Sequence, residues 1–202
     1  MRTRRPGEGA TRRSPRPRVS ASPRRGARSR VILVIGGASS GKSAVALKLA
    51  GRGVAKRAAR AFVATGQPLD DEMADRIRLH QASRGAEWQT EEVPVDLAAW
   101  FEKHGRGFRA VILDCLTLWL SNLKERGVPD GRVSDLVATL LRAMRDSKAR
   151  VVVVSNELGL GLVPADASAR RFRDLAGKVN QQAAGAADEV YFVVAGQAIR
   201  VK

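Results

Sequence analysis

Gly36, Gly37, Ala38, Ser39, Ser40, Gly41, Lys42 and Ser43 fit the pattern GxxxxGK[ST], and they carry the most specific chemistry in the chain. A polyphosphate needs several backbone N–H groups aimed at it. Glycines let a loop fold closely around the anion, and a helix that starts just after the loop adds unpaired donors and the positive end of its dipole. In such a loop the ammonium of Lys42 reaches the β and γ phosphates and the hydroxyl of Ser43 sits on Mg²⁺. Asp114 offers the complementary carboxylate: it ends the apolar run Ala110 to Leu113, where an acid binds Mg²⁺ directly or through water. Alone, an acid after a strand more often enters a turn or a helix cap. Its reading as a metal or nucleotide ligand therefore depends on the loop. For nucleophilic or acid–base work the chain has only His80 and His104. His104 precedes Gly105 at an expected helix end, where an imidazole is a common cap. His80 is open to two readings, a partly buried residue on an amphipathic helix or a nucleophile or general base.

These groups have to be positioned by elements that the apolar pattern supplies. Val31 to Ile35 is apolar throughout and rich in β-branched residues, as expected of a strand buried on both faces of a parallel sheet. Ala44, Val45, Ala46, Leu47 and Leu49 follow the loop at helical spacing. Arg60 to Thr65 reads as a second strand ending in the loop signal Gly66-Gln67-Pro68. Asp70 caps a helix that runs to about Ser83, with acids Asp70, Asp71 and Glu72 in its first turn and Met73, Ile77 and His80 on one face. Trp88 to Val95 reads as an extended connection or edge strand, Leu97 to His104 as a short helix, and Ala110 to Leu113 as a third strand. Helices are expected over Leu116 to Arg126 and Val133 to Lys148, with Gly127, Pro129, Asp130 and Gly131 as turn residues between them.

Arg150 to Val154 is the clearest buried strand, and it leads into a polar loop of Ser155, Asn156 and Glu157 followed by Gly159, Gly161 and Pro164. Ligands of open α/β sheets bind at that edge. A long helix over Asp166 to Ala187 starts with Arg170, Arg171 and Arg173 against its dipole. Either an anion lies nearby or the arginines form a solvated face paired with Asp166 and Asp174. Glu189 to Ala195 and Ile199 to Lys202, joined through Gly196-Gln197, read as a hairpin. The alternation predicts an α/β, P-loop NTPase-like fold: a mainly parallel sheet flanked by helices, with a C-terminal antiparallel hairpin.

At 202 residues the chain holds one well-cored domain. Its net charge of +16 would point to nucleic acid, but residues 1 to 30 carry eleven arginines against the single acid Glu8, leaving only +6 for the rest. Residues 1–29 are expected to be a disordered Arg-rich extension and residues 30–202 a single P-loop phosphoryl and nucleotidyl transfer domain. The extension lacks the apolar centre of a secretory signal, and nothing downstream approaches a membrane span. With one cysteine, Cys115, no internal disulfide forms, consistent with a cytoplasmic location. Few aromatics are available for base stacking, so nucleic acid is expected to contact the tail if anything.

Five blocks together are specific: GGASSGKS, ATGQPLDDEMADRIRLHQASRG, DCLTLWLSNL, SNELGLGLVP and RRFRDLAGKVNQQAAGAADEVYFVVAG. In this order they resemble the bifunctional adenosylcobinamide kinase / adenosylcobinamide-phosphate guanylyltransferases of cobalamin biosynthesis, over about residues 31 to 202. The resemblance implies phosphorylation of the aminopropanol hydroxyl of adenosylcobinamide by a nucleoside triphosphate, then GMP transfer from GTP through a guanylylated histidine to give adenosylcobinamide-GDP. The family's EMxxRIxxH pattern falls on Glu72 to His80 and implies His80 as nucleophile, with Lys42 stabilising phosphate charge. It further implies nucleotide contacts at Gly36 to Ser43, Ala64, Thr65, Gly66, Gln81, Ala82, Ser83, Arg84, Glu92 and Asp114, and Mg²⁺ at Ser43 and Asp114. GTP or ATP is the implied phosphoryl donor, and a homo-oligomer, a trimer, the implied assembly. The alternatives are a guanylyltransferase without kinase activity and a P-loop NTP-dependent nucleic-acid-binding protein.

Overall fold

The computed structural model describes residues 29–202 apart from Leu69 and Ser83, and leaves out the side chains of Arg76, His80 and Ala82. Of the extension expected to be disordered over residues 1–29, residues 1–28 lie outside the described residues, as does Ser83 among the expected nucleotide contacts, whereas Ser29 is buried and its hydroxyl donates to Met144 O at 3.1 Å. In chain order the elements are β1 (Arg30–Gly36), α1 (Lys42–Gly51), β2 (Arg60–Ala64), α2 (Asp71–Ala82), β3 (Gln89–Glu92), α3 (Leu97–His104), β4 (Ala110–Asp114), α4 (Leu116–Glu125), α5 (Asp130–Asp146), β5 (Arg150–Asn156), α6 (Ala167–Ala186), β6 (Glu189–Val194) and β7 (Gln197–Arg200). The strands form one seven-stranded sheet of order β3-β2-β4-β5-β1-β6-β7. All neighbours pair in parallel except β6 and β7. The expected α/β architecture with its terminal hairpin is therefore observed.

The strands are apolar without interruption because both faces of the sheet are covered. Successive side chains leave a strand on opposite sides, and the core divides accordingly. Val31, Leu33, Val111, Leu113, Val151 and Val153 pack with side chains of α3, α4, α5 and α6. Ile32, Val34, Ile112, Val152 and Val154 pack with Ala46, Leu49 and Ala50 of α1. The parallel strands share one direction, so Gly36, Ala64, Asp114 and Asn156 all arrive at the same sheet edge. Between β1 and β4 lies β5, and this one-strand gap sets the width of the site. Among the described residues no helix is long and apolar enough to cross a membrane.

Among the boundaries that differ from expectation, β5 continues through Ser155 and Asn156, expected as loop, which pair with Ile35 and Gly36 of β1, and two others have local reasons. The hairpin turn is Ala195-Gly196, with φ of 48° and 76°, and Val194 pairs with Gln197. With positive φ at both centres the turn is of type I′, which suits the twist of its strands, and glycine occupies the second centre. Consequently β7 runs from Gln197 to Arg200 instead of Ile199 to Lys202. Helix α5 starts at Asp130, not Val133, with Pro129 as its N-cap. Asp130, read as a turn residue, instead supplies a carboxylate to the first turn, where the dipole favours it, and pairs with Lys124.

Candidate active site

The loop between β1 and α1 gets its shape from two glycines and a neighbouring turn. A Cβ on Gly36 would lie 2.3 Å from Val193 O, and Gly41 has φ of 94° with its Cβ position 3.0 Å from Gly196 Cα. Gly196 N–H also donates to Ser40 O at 2.9 Å, so the β6–β7 turn braces the loop from behind. Asp70 and Asp166 cap α2 and α6, their carboxylates accepting from Met73 N at 2.7 Å and Ala169 N at 2.8 Å. By contrast α1 has Gly41 at its N-cap, no side-chain cap and no acid in its first turn. Its first N–H groups are thereby left to an anion. Ser40 Oγ is likewise buried without a hydrogen-bond partner among the described residues. These features fit a phosphate-bearing ligand.

Lys42 is buried, and its Nζ donates to the carbonyl of Gly37 across the loop. Burial lowers its pKa, while the nearby Cys115 and Asp114 act in the opposite direction. Ser43 Oγ donates to Asp114 Oδ2 at 3.3 Å, spanning β5 to bring the hydroxyl and carboxylate together. Among the described residues no cluster of three or more His, Cys, Asp or Glu side chains could hold a metal unaided. A hard cation at Ser43 and Asp114 would thus share its coordination with phosphate oxygens and water.

A cavity of about 570 Å³ opens over this edge. Of the expected contacts, it is lined by Ala38, Ser39, Ser40, Gly41, Lys42, Ser43, Ala64, Gly66, Arg84 and Asp114. Arg84 stacks over Phe62, 3.4 Å from the ring centroid, and its Nη1 donates to Thr90 Oγ1 at 3.3 Å. Burial lowers its pKa against the pull of Asp114, yet a guanidinium stays charged. Lys42 and Arg84 therefore place two cations around one carboxylate, the charge pattern of a polyphosphate site.

Gly36, Gly37, Thr65, Gln81 and Glu92 do not line the cavity. Thr65 is fully buried and serves as a clasp. Its Oγ1 donates to Cys115 O and accepts from Cys115 N, each at 2.8 Å, while its own carbonyl accepts from Asn122 Nδ2 at 2.8 Å. That clasp holds β2 to the β4–α4 junction directly beneath Asp114. Glu92 is exposed at the end of β3 and pairs with Ala64; Gln81 is exposed on α2. His80 and Ala82 belong to α2, and their side chains lie outside the described residues. On the same helix Met73 and Ile77 line the cavity.

Cys115, also at the cavity wall, is the α4 N-cap, with its thiol accepting from Leu118 N at 3.4 Å. Burial, reinforced by Asp114, pushes the thiol up from 9.0 to about 12. Only the thiolate attacks a thiol reagent. At pH 8, reaction of folded protein with an aromatic disulfide is expected to be at least about a hundredfold slower than that of the urea-unfolded chain. Absorbance of the released thiolate measures both, and equal rates would contradict the burial argument.

His104, Arg170 and Arg173 make contacts within their own elements and neighbouring loops. His104 ends α3, its ring 6.0 Å from that of Trp100. Arg170 donates to the carbonyls of Pro164 and Ala165, and Arg173 pairs with Asp174 at 3.1 Å, so these arginines secure the entry to α6. Sequence reasoning passed over Met73, Ile77 and Leu118 as cavity residues, and it named Asn156 only as part of a polar loop. Its available signal was its place just beyond a buried strand run, at the edge where open α/β sheets bind ligands.

The sequence matches the family described as cobinamide kinase / cobinamide phosphate guanyltransferase over residues 32–201. It is 38% identical over 184 residues to the bifunctional adenosylcobalamin biosynthesis protein CobU of Salmonella typhimurium, covering 85% of this chain and 99% of that protein. Identity to the bifunctional adenosylcobalamin biosynthesis protein CobP of Pseudomonas aeruginosa is 40% over 170 residues, covering 84% and 96%. The corresponding CobU protein of Escherichia coli is 37% identical over 184 residues, covering 85% and 99%.

Proposed function

We propose, from the premise that this chain belongs to the cobinamide kinase / cobinamide phosphate guanyltransferase family, that the cavity at the end of β1, β4 and β5 serves both reactions. The observation that carries this reading is the convergence of the uncapped α1 N-terminus, Lys42, Arg84 and the Ser43–Asp114 pair on one space of about 570 Å³. The chain is a transferase acting on adenosylcobinamide and its phosphate.

In the first reaction the aminopropanol hydroxyl oxygen of adenosylcobinamide bonds to the γ-phosphorus of ATP or GTP. The bond to the bridging oxygen breaks, the nucleoside diphosphate leaves with its electron pair, and the hydroxyl proton passes to solvent. The donors around Gly36 to Ser43 hold the triphosphate, and Lys42 and Arg84 offset charge on the oxygens of the transferring group. Ser43 and Asp114 would hold Mg²⁺, which when bound would supply further charge neutralisation. In the second reaction an imidazole nitrogen of His80 bonds to the α-phosphorus of GTP, and pyrophosphate leaves. An oxygen of adenosylcobinamide phosphate then bonds to that phosphorus, breaking the P–N bond and restoring the imidazole. Met73 and Ile77 support this assignment, because position 80 follows them at helical spacing on α2. Gln81, Ala82, Ser83 and Glu92 would contact GTP, and a homotrimeric assembly belongs to the same proposal.

Turnover of adenosylcobinamide with GTP and Mg²⁺, followed by chromatography of both products, tests the reading. Adenosylcobinamide phosphate should appear first and adenosylcobinamide-GDP after it, with one pyrophosphate released per GDP-linked product. Formation of the second product only from supplied phosphate would identify a guanylyltransferase alone, and formation of neither would refute the proposal.

A further inference from the structure

Because β5 lies between β1 and β4, any group bound between Lys42 and Asp114 sits over the C-terminal end of β5. The residue at that end is Asn156, in register with Gly36 of the phosphate loop. Val151 and Val153 face the core under α3 to α6, and Val152 and Val154 face α1. Strand alternation therefore directs Asn156 to the α1 side, the side to which the same alternation directs Asp114. Asn156, Val154 and Asp114 all line the cavity.

The main chain of Asn156 is fixed from both directions. Its N–H donates to Thr117 Oγ1 at 2.8 Å, and its carbonyl accepts from Asn180 Nδ2 at 3.0 Å. Thr117 and Asn180 are buried polar residues, and the Thr117 hydroxyl lies 3.2 Å from Ser155 Oγ. The next residue continues the anchoring, with Glu157 N–H donating to Gly36 O at 2.9 Å. Buried polar scaffolds of this kind hold what they support in one place, at a cost that apolar packing would avoid. The side-chain amide of Asn156 is the remaining group, half-buried and without a hydrogen-bond partner among the described residues.

We propose that Asn156 is a catalytic residue of the phosphoryl-transfer step, its Nδ2–H donating to an oxygen of the transferring γ-phosphoryl group. This rests on the two-reaction reading above. As the substrate hydroxyl bonds to the γ-phosphorus and the bond to the bridging oxygen breaks, charge redistributes over the phosphoryl oxygens. A donor already held in place stabilises that charge without reorganising. Guanylyl transfer breaks its bond at the α-phosphorus, and the γ-phosphoryl group leaves unreacted within pyrophosphate. The amide therefore favours the first reaction over the second.

The test measures both reactions separately in Asn156→Ala and in the near-isosteric Asn156→Asp, with adenosylcobinamide plus nucleoside triphosphate and with supplied adenosylcobinamide phosphate plus GTP. In Asn156→Ala, kcat for phosphoryl transfer should fall about 10²-fold, with KM for the triphosphate changed less than about threefold. Guanylyl transfer, whose GTP also carries the γ-phosphoryl group but reacts at the α-phosphorus, should fall by a smaller factor, at most about tenfold. Asn156→Asp keeps the volume and the main-chain bonds but replaces the donor with a negative charge, so its kinase loss should be at least as large. Thr117→Val loosens the support but keeps the amide, and should lose less kinase kcat than either. A kinase kcat within threefold of wild type in both Asn156 variants, or an equal fall in both reactions, would overturn the assignment. If wild-type protein forms neither product, the two-reaction reading has failed instead.

Discussion

Lys42→Met should abolish both reactions, with kcat for phosphoryl and for guanylyl transfer each reduced by on the order of 10³-fold or more. Lys42 is buried at the base of the loop, 8% exposed, and is one of two cations on the cavity wall among the described residues. Both reactions move negative charge along a triphosphate, so one cationic contact serves both. Methionine preserves the length and apolar stem, and the substitution removes a desolvated charge. The fold should therefore tolerate it, and stability supplies an internal control. Burial holds the Lys42 pKa below 10.5, with Asp114 opposing. Cys115 would oppose only as a thiolate, which it does not become until about pH 12. A cation whose folded pKa is lowered weakens the fold while it is protonated, and that cost is relieved as pH rises through its folded pKa toward 10.5. In urea unfolding, Lys42→Met should be at least as stable as wild type at pH 7, and its advantage should shrink toward pH 10. Retention of more than about a tenth of either activity would contradict the shared-cradle reading.

The fold was legible because both faces of the sheet are covered. VILVI, AVIL and VVVV are uninterrupted apolar runs separated by helical patterns, a signal that parallel pairing produces and that little else imitates. Strand order was not legible. Nothing in the local pattern of Arg150 to Asn156 states that it pairs with both β1 and β4, since pairing depends on which crossover helices fill which face. The one-residue displacement of the hairpin turn has a local origin. Gly196-Gln197 and Ala195-Gly196 both contain the glycine, and only the pairing of Val194 with Gln197 selects between them.

At the site, residues recognised by main-chain chemistry were read directly, and residues recognised by tertiary contact were not. The phosphate loop announces itself because its glycines and lysine are contiguous. Thr65 illustrates the second kind. Beside Ala64 and Gly66 it has the position of a ligand contact, yet its hydroxyl is consumed by the N–H and carbonyl of Cys115, fifty residues away. Asn156 illustrates the converse: an ordinary strand-ending amide becomes conspicuous only when Thr117 and Asn180 are seen to hold its main chain. Arg84 drew attention only through resemblance, because its role depends on stacking over Phe62 of a different element.

His80→Ala should separate the two activities that Lys42→Met removes together. Phosphoryl transfer employs the substrate hydroxyl as nucleophile and needs no covalent bond to the protein, so its kcat should stay within about threefold of wild type. Guanylyl transfer through a protein nucleophile loses its first bond, and its rate should fall by at least about 10³-fold. Incubation with GTP labelled at the α-phosphorus gives an independent readout. Wild-type protein should retain label through denaturing gel filtration and release it in mild acid, as a P–N bond requires, whereas the variant should retain none. Label at the γ-phosphorus should remain on neither protein, because that phosphorus leaves within pyrophosphate. Labelling of the variant at the wild-type level would transfer the nucleophile's role elsewhere. His104, packed against Trp100 at the end of α3, is the only other imidazole in the chain, so His104→Ala would then be the deciding substitution. Loss of kinase activity alongside guanylyl transfer would instead mean that truncation at position 80 disturbs the face of α2 that brings Met73 and Ile77 to the cavity. His80→Asn, which keeps a polar side chain of similar size but cannot form a stable phosphoramidate, distinguishes that case: it should restore kinase activity and leave the protein unlabelled.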